Sequence, residues 1–234
     1  MFITLEGGEG AGKTTQALRL VDRLHQMGQP ARFTREPGGT PLANAIRAVL
    51  LHPEESLRAL AKGGLATGDE LVEPTLPITE VLLLSAARAQ HIQRIHQWQG
   101  AGEIVVCDRF ADSTRVYQGV ARGVAMEEID AAEHLAIGAL RPDLTLLFDL
   151  PVAEGRRRKR LVVKSSLTQL SLFEPPTWNR LDSEALDFYE RVRAGYLALA
   201  AAEPERWVVF DATLPPDELA ERVWQVVAER LGSG

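Results

Sequence analysis

The feature that most constrains this chain is the run Gly7-Gly8-Glu9-Gly10-Ala11-Gly12-Lys13-Thr14 close to its start. It satisfies G-x-x-x-x-G-K-[ST] at every fixed position, and the flanking residues have the periods that this motif needs. Met1 to Leu5 is a short apolar run that predicts a strand. From Lys13 to Met27, Ala17, Leu18, Val21, Leu24 and Met27 recur at helical spacing. In such a strand, loop and helix, glycines let backbone N–H groups turn inward around phosphate oxygens, and the helix points its positive dipole end at the same anion. Gly7, Gly8, Glu9, Gly10, Ala11, Gly12, Lys13, Thr14 and Thr15 are therefore expected to cradle a nucleotide's phosphates. Lys13 should reach the β- and γ-phosphates, and the Thr14 hydroxyl suits a Mg²⁺ shared with them. A dinucleotide-binding G-x-G-x-x-G is excluded, because Lys13 stands where its third glycine belongs.

The rest of the chain alternates strand and helix. Ala31–Arg35, Glu103–Cys107, Leu144–Phe148 and Trp207–Phe210 read as further strands. Thr40 followed by Pro41 opens a helix marked by Leu42, Ile46, Val49 and Leu50. Longer helices are expected over Ile78–Trp98, Glu127–Leu140, Val152 to about Arg160, Ser183–Ala202 and Pro215–Leu231. This pattern predicts an α/β fold of P-loop NTPase type, a parallel sheet of about five strands flanked by helices on both faces. One domain over 1–234 is expected, with a surface loop at about 52–77 holding at most one helical turn, and a mobile, Ser-rich segment inside about 153–182. A net charge of −6 argues against non-specific nucleic-acid binding, and no run approaches 18 uninterrupted apolar residues, so no membrane span is expected. The single Cys107 cannot form an internal disulfide, which fits a reducing cytoplasm.

Four further segments narrow the reading: Thr34-Arg35-Glu36-Pro37-Gly38-Gly39-Thr40, Ala86-Ala87-Arg88-Ala89-Gln90, Asp108-Arg109-Phe110 and Ser113-Thr114-Arg115-Val116-Tyr117-Gln118-Gly119. In this order and spacing the chain resembles the bacterial thymidylate kinases, and the resemblance runs on through Arg141-Pro142-Asp143-Leu144-Thr145 to Phe210-Asp211-Ala212-Thr213. It implies a homodimer, Mg²⁺, and transfer of the γ-phosphate of ATP to dTMP. It also implies that Arg47 and Arg109 take the dTMP phosphate, Arg88 the thymine carbonyl and Glu9 the 3′-hydroxyl. Ser113, Tyr117 and Gln118 would line base and sugar, Tyr117 where a 2′-hydroxyl would otherwise fit. Asp108 matches the acid near Mg²⁺, and Pro37 a turn proline that follows a cis bond in some relatives.

The chemistry of the residues agrees. The second pKa of a phosphate monoester lies near 6, so dTMP arrives ionised and no general base is required. The barrier is the meeting of two polyanions, which explains a site rich in arginine and poor in histidine. Arg88 facing cytosine would meet an amino group and be left unpaired, which is how such a pocket rejects an analogue. The run Arg156-Arg157-Arg158-Lys159-Arg160 resembles the family's lid. Because Gly10 stands where some relatives carry a P-loop arginine, the catalytic arginine is expected from the lid, with Arg156, Arg160 and Arg180 as candidates.

The chain also departs from the pattern. Leu84 stands four residues before Arg88, where the family usually has a phenylalanine stacked on thymine. Asn44 and Asp182 replace common glutamates, and the 161–179 stretch is long. Glu6 reads equally as a catalytic group or as a strand-end carboxylate paired with an arginine. His91 and His96, off a shared helix face, read as surface or capping residues, and Cys107 as a core residue. A regulatory GTPase would need N-K-x-D, which does not occur; a kinase of another nucleoside monophosphate is the remaining alternative.

Overall fold

The computed structural model describes residues 1–63, 74–166 and 184–232. At its centre lies a five-stranded sheet in the order β2-β3-β1-β4-β5, formed by β1 (Phe2–Gly7), β2 (Ala31–Arg35), β3 (Ile104–Asp108), β4 (Leu144–Asp149) and β5 (Trp207–Asp211). Every pairing is parallel. The connecting helices are α1 (Lys13–Gln26), α2 (Pro41–Leu51), α3 (Pro53–Lys62), α4 (Pro77–Gly100), α5 (Ala111–Thr114), α6 (Met126–Ile137), α7 (Val152–Ser166), α8 (Leu186–Ala202) and α9 (Pro216–Gly232), with a π-helix over Arg115–Ala121 directly after α5.

β1 and β3 are buried along their whole length, as their uninterrupted apolar runs require of strands covered on both faces. Alternate side chains serve opposite faces. Ile3, Leu5, Val106, Leu144, Leu146 and Phe148 pack with Leu20 and Leu24 of α1 and with Leu219, Val223 and Val227 of α9. On the other face Phe2, Val105 and Cys107 meet Ile95 of α4 and Ala136 and Ile137 of α6, while Leu147 and Trp207 meet Phe188, Val192 and Tyr196 of α8. Gly195 lets α8 lie close against the π-helix: a Cβ there would stand 3.2 Å from Val116 Cγ1.

Several sequence expectations need correction. Thr40 does cap α2, its side chain accepting from the Ala43 N–H at 3.2 Å, but the region after it is not a loop with one turn. Pro53–Lys62 forms α3, with Pro53 at its first turn and Glu54 and Glu55 at its positive end. Glycines and prolines further along obscured its short amphipathic pattern, in which Leu57, Leu60 and Ala61 recur at helical spacing. α4 begins at Pro77 itself, and residues 64–73 of the expected loop lie outside the described residues. α7 runs on to Ser166, more than a turn past Arg160. The α5 and π-helix pair had no periodic signature and was not anticipated. His91 is fully buried rather than a surface or capping residue.

One polar network crosses the face beneath α5. Thr4 and Thr145 share a hydrogen bond of 2.9 Å between β1 and β4. Arg206 donates to Thr145 Oγ1 at 2.8 Å and to both carboxylate oxygens of Asp112 at 2.7 and 3.1 Å. This pair ties α5, and with it the segment after β3, to the start of β5. Replacing Arg206 by Met should lower the unfolding free energy by on the order of 3 kcal/mol, because Asp112 is left buried without its partner. Adding Asp112→Leu should restore part of that loss in denaturant titrations.

Candidate active site

The carboxyl ends of the parallel strands gather charge along one edge of the sheet. β1 ends in Glu6 and Gly7, β2 in Arg35, β3 in Asp108, β4 in Asp149 and β5 in Asp211. The loop after β1 turns on Gly10 (φ 72°) and Gly12 (φ 86°), left-handed conformations that favour glycine. Among the described residues a Cβ at Gly8 or Gly12 would meet nothing within 4 Å, so the space beside these glycines is open, and the first turn of α1 has no side-chain cap. Lys13 Nζ folds back onto the Gly7 and Gly8 carbonyls at 3.1 and 2.7 Å. Burial, and the Arg109 charge beside it, lower its pKa to about 8. Thr14 donates its hydroxyl to Asp108, so the two oxygen ligands anticipated for Mg²⁺ are neighbours. Thr15 is exposed.

Arg109, the residue after β3, has φ 70°, a left-handed conformation unusual for a side-chain-bearing residue. It aims the guanidinium back over β1, where Nη1 donates to Ser113 Oγ at 3.2 Å and to the Tyr196 hydroxyl at 3.0 Å. Nη2 donates to Glu9 Oε1 at 3.3 Å and to the Tyr117 hydroxyl at 3.1 Å. Beneath it lies Glu6, fully buried, which accepts from the Phe110 N–H at 2.8 Å, Ser113 Oγ at 2.7 Å and the Tyr196 hydroxyl at 2.8 Å. Burial raises its pKa to about 7 against the pull of Arg109. Glu9 goes the other way: burial alone would raise it, but Arg109, Lys159 and Lys13 hold it at about 2.

The second pocket wall is α4. Arg88 is 2% exposed; Nε donates to Glu36 Oε2 at 2.7 Å, and Nη2 to Thr114 Oγ1 at 3.0 Å. Leu84 lies half-buried one turn earlier on α4. Gln118 donates to Glu80 of α4 at 2.8 Å, and Arg47 reaches from α2 to the Pro37 carbonyl at 3.0 Å. The Glu36–Pro37 bond is cis.

α7 packs directly onto the phosphate loop. A Cβ on Gly10 would lie 2.4 Å from the Gly155 carbonyl oxygen, and one on Gly155 would lie 2.3 Å from that of Glu9. A P-loop arginine at position 10 has no room in this arrangement. One turn beyond Gly155, and so on the same face, Lys159 Nζ donates to Glu9 Oε2 at 3.0 Å. Arg158 bonds the Ala212 carbonyl at 2.9 Å. Arg156 and Arg160 lie on another face, where they line a pocket with Ala153, Arg157, Leu161 and Leu186. Arg180 and Asp182 lie outside the described residues.

Comparison with known proteins decides the family. The thymidylate kinase family model matches residues 5–223. The chain belongs to the thymidylate kinase family. It is 45% identical over 232 residues to the thymidylate kinase of Synechococcus sp. (strain JA-2-3B'a(2-13)), covering 99% of this chain and 96% of that protein. It is 44% identical over 234 residues to that of Thermomicrobium roseum, covering 100% and 97%. The crystal structure of thymidylate kinase from Ehrlichia chaffeensis superposes with a TM-score of 0.65 at 28% identity, covering 97% of this chain and 98% of that one.

For a thymidylate kinase the sequence had pointed to Glu9, Arg88, Arg109, Ser113 and Tyr117, and the fold brings Glu9, Arg109, Ser113 and Tyr117 into one hydrogen-bonded group. Lys159, Tyr196, Glu36 and His91 were not assigned. Lys159 was hidden in a run of equivalent charges, and only the Gly155 contact shows which face of α7 meets the loop. Tyr196 lies 83 residues from Ser113, to which it is hydrogen-bonded, a separation that no local pattern bridges.

Glu6 makes stability depend on pH with a definite sign. Its folded pKa is raised from 4.5 to about 7, so between those values the folded state binds more protons than the unfolded chain. Stability should fall as pH rises through that window, by at most about 1.4 kcal/mol per pH unit for one group. Glu133, also raised to about 7 by burial, adds to the same slope. Glu6→Gln should remove its share, seen as a flatter Tm between pH 5 and 8.

Proposed function

We propose that the chain carries out its family's reaction, transfer of the γ-phosphate of ATP to dTMP, with the residues of this one cleft. The observation that carries the assignment is the side-by-side ending of β1 and β3, which sets the phosphate loop against Asp108 and Arg109. ATP phosphates fit the open glycine cradle, against Lys13 and the α1 N-terminus. Thr14 and Asp108 would hold Mg²⁺, which supplies charge neutralisation between donor and acceptor phosphates.

The acceptor pocket follows from the arginines. Arg109 and Arg47 take the dTMP phosphate, so an arriving phosphate competes with Glu9 for Arg109 Nη2. Freed of that bond, Glu9 is available to the 3′-hydroxyl, and Lys159 keeps its other oxygen in place. Ser113, Tyr117, Gln118, Pro37 and Leu84 line sugar and base, and Arg88 reads the thymine carbonyl. Since dTMP arrives ionised, these groups act by placing and neutralising charge.

Lid arginines Arg156, Arg160 and Arg180 remain candidates for a closed state, and Lys159 joins them as the cation already at the phosphate loop. A homodimer belongs to the same reading, supported by Leu42 and Val49 of α2 and Leu82 of α4, large apolar residues exposed on packed helices. So does a cytoplasmic location, supported by the buried single Cys107; no helix among the described residues is long and apolar enough to cross a membrane.

With Mg·ATP and a panel of dTMP, dUMP, dCMP, dGMP and dAMP, dTMP should give the highest kcat/KM; a preference for any other monophosphate would refute the assignment. Lys13→Ala should remove roughly 10² to 10³ of kcat, as does loss of a donor to developing charge, with the fold retained by circular dichroism. Lys159→Ala should lower kcat about tenfold with a smaller change in the KM for ATP, because a lid cation acts chiefly in the closed complex. If only the KM for ATP rises, Lys159 is a binding residue.

A further inference from the structure

The buried cluster behind the dTMP pocket contains groups that the reaction does not use. His91 is 0% and Glu36 4% exposed. Glu36 sits between two partners: Oε2 accepts from Arg88 Nε at 2.7 Å, and Oε1 faces His91 Nδ1 at 3.0 Å. The other ring nitrogen, Nε2, faces Thr34 Oγ1 at 2.7 Å. Arg88 and His91 hold the Glu36 carboxyl below its usual range against the opposing effect of burial. An ionised carboxylate only accepts, so Nδ1–H must be the donor to Glu36 in either protonation state of the ring. In the neutral ring Nε2 then accepts from the Thr34 hydroxyl, and the chain Thr34, His91, Glu36 has a single polarity.

Two further observations say what this chain of bonds constrains. Gly39 (φ 83°) closes over the imidazole so tightly that a Cβ there would lie 2.3 Å from its Cδ2 and Nε2. The ring therefore cannot turn without moving the loop that carries Pro37. Arg88 has its Nε on Glu36 and its Nη2 on Thr114 Oγ1, while Nη1, buried, has no hydrogen-bond partner among the described residues. Glu133 Oε1 is ion-paired with Nη1 at 3.7 Å and has no hydrogen-bond partner among the described residues. Nη1 and Glu133 Oε1 thus form a buried ion pair without a hydrogen bond, which leaves the Glu36 and Thr114 contacts to set the orientation of the guanidinium.

We infer that Glu36 and His91 are positioning residues for base recognition: they fix the plane of the Arg88 guanidinium so that it meets the base as a donor suited to a carbonyl and not to an amino group. The inference rests on the reading of Arg88 as the thymine contact. A guanidinium free to tilt could present fewer donors to the base edge, and discrimination between a carbonyl and an amino substituent would fall with it.

The test compares His91→Gln with His91→Asn. The Asn amide lies near the place of Nδ1 and can still donate to Glu36; the Gln amide lies near that of Nε2 and cannot. The KM for dTMP, the KM for ATP, kcat, the ratio of kcat/KM for dTMP over dCMP, and Tm are measured for each. His91→Gln should raise the KM for dTMP about tenfold, the scale of one hydrogen bond to a charged group, and lower the dTMP to dCMP ratio. The KM for ATP and kcat should stay within about twofold. His91→Asn should recover most of the ratio. Equal losses in both variants, or a fall in Tm with the ratio unchanged, would make His91 a packing residue and overturn the inference. If His91→Gln does not fold, Thr34→Val serves: it deletes only the partner of Nε2 and must shift the ratio in the same direction. Arg88→Lys is the control on the underlying reading; an unchanged KM for dTMP there would refute the thymine contact itself, whatever His91 does.

Discussion

The parallel pairing of β1 with β3 is the constraint on which the rest depends. It places Leu5 opposite Asp108, and the Arg109 N–H continues the ladder by donating to the Leu5 carbonyl at 3.0 Å. The phosphate loop and the arginine that faces it are thereby fixed to each other by backbone geometry, not by side-chain contacts that could drift. Only β1 sends its crossover toward β2 while the later strands build past it. The crevice therefore opens at the carboxyl ends of the strands where the order reverses, the usual ligand position in an open α/β sheet.

Placing so much charge in a buried cleft has a cost that the structure offsets locally. Lys13, Glu6, Glu9 and Arg109 are partly or wholly removed from water, and their pKa values move in directions set by the balance of burial and neighbours. Glu9 stays ionised because cations surround it; for Glu6, burial outweighs Arg109 and the hydroxyl and backbone donors, and its pKa rises to about 7. The arginine is held by Ser113, Tyr117 and Tyr196, so its guanidinium is already ordered. That is preorganisation in its plain sense: the ordering is already present before the substrate arrives.

The same economy governs α7. Two glycines, Gly10 and Gly155, allow α7 to touch the phosphate loop backbone to backbone, a contact closer than any side chain would permit. It sets the phase of the helix, so that one position in a run of basic residues faces the site and its neighbours face away. The packing leaves no room for an arginine at position 10 of the loop.

The sequence by itself determined the fold class, the phosphate loop and the family, because each rests on local pattern. The glycine run must bend, apolar periods of two and near four must become strands and helices, and the motif order singles out one group of kinases. Tertiary structure alone decided which side chains meet. Nothing in the sequence pairs Glu36 with His91, or Glu6 with Tyr196. Their partners lie 55 and 190 positions away, and only the packing of α4 and α8 on the sheet brings them together. α3 and the π-helix were missed for different reasons: the glycines and prolines after α3 obscured its short amphipathic pattern, and the π-helix has a repeat that apolar patterning does not encode. The physical division is between interactions that close within a few residues, which a chain writes into its order, and buried polar contacts, whose partners exist only once the sheet has formed.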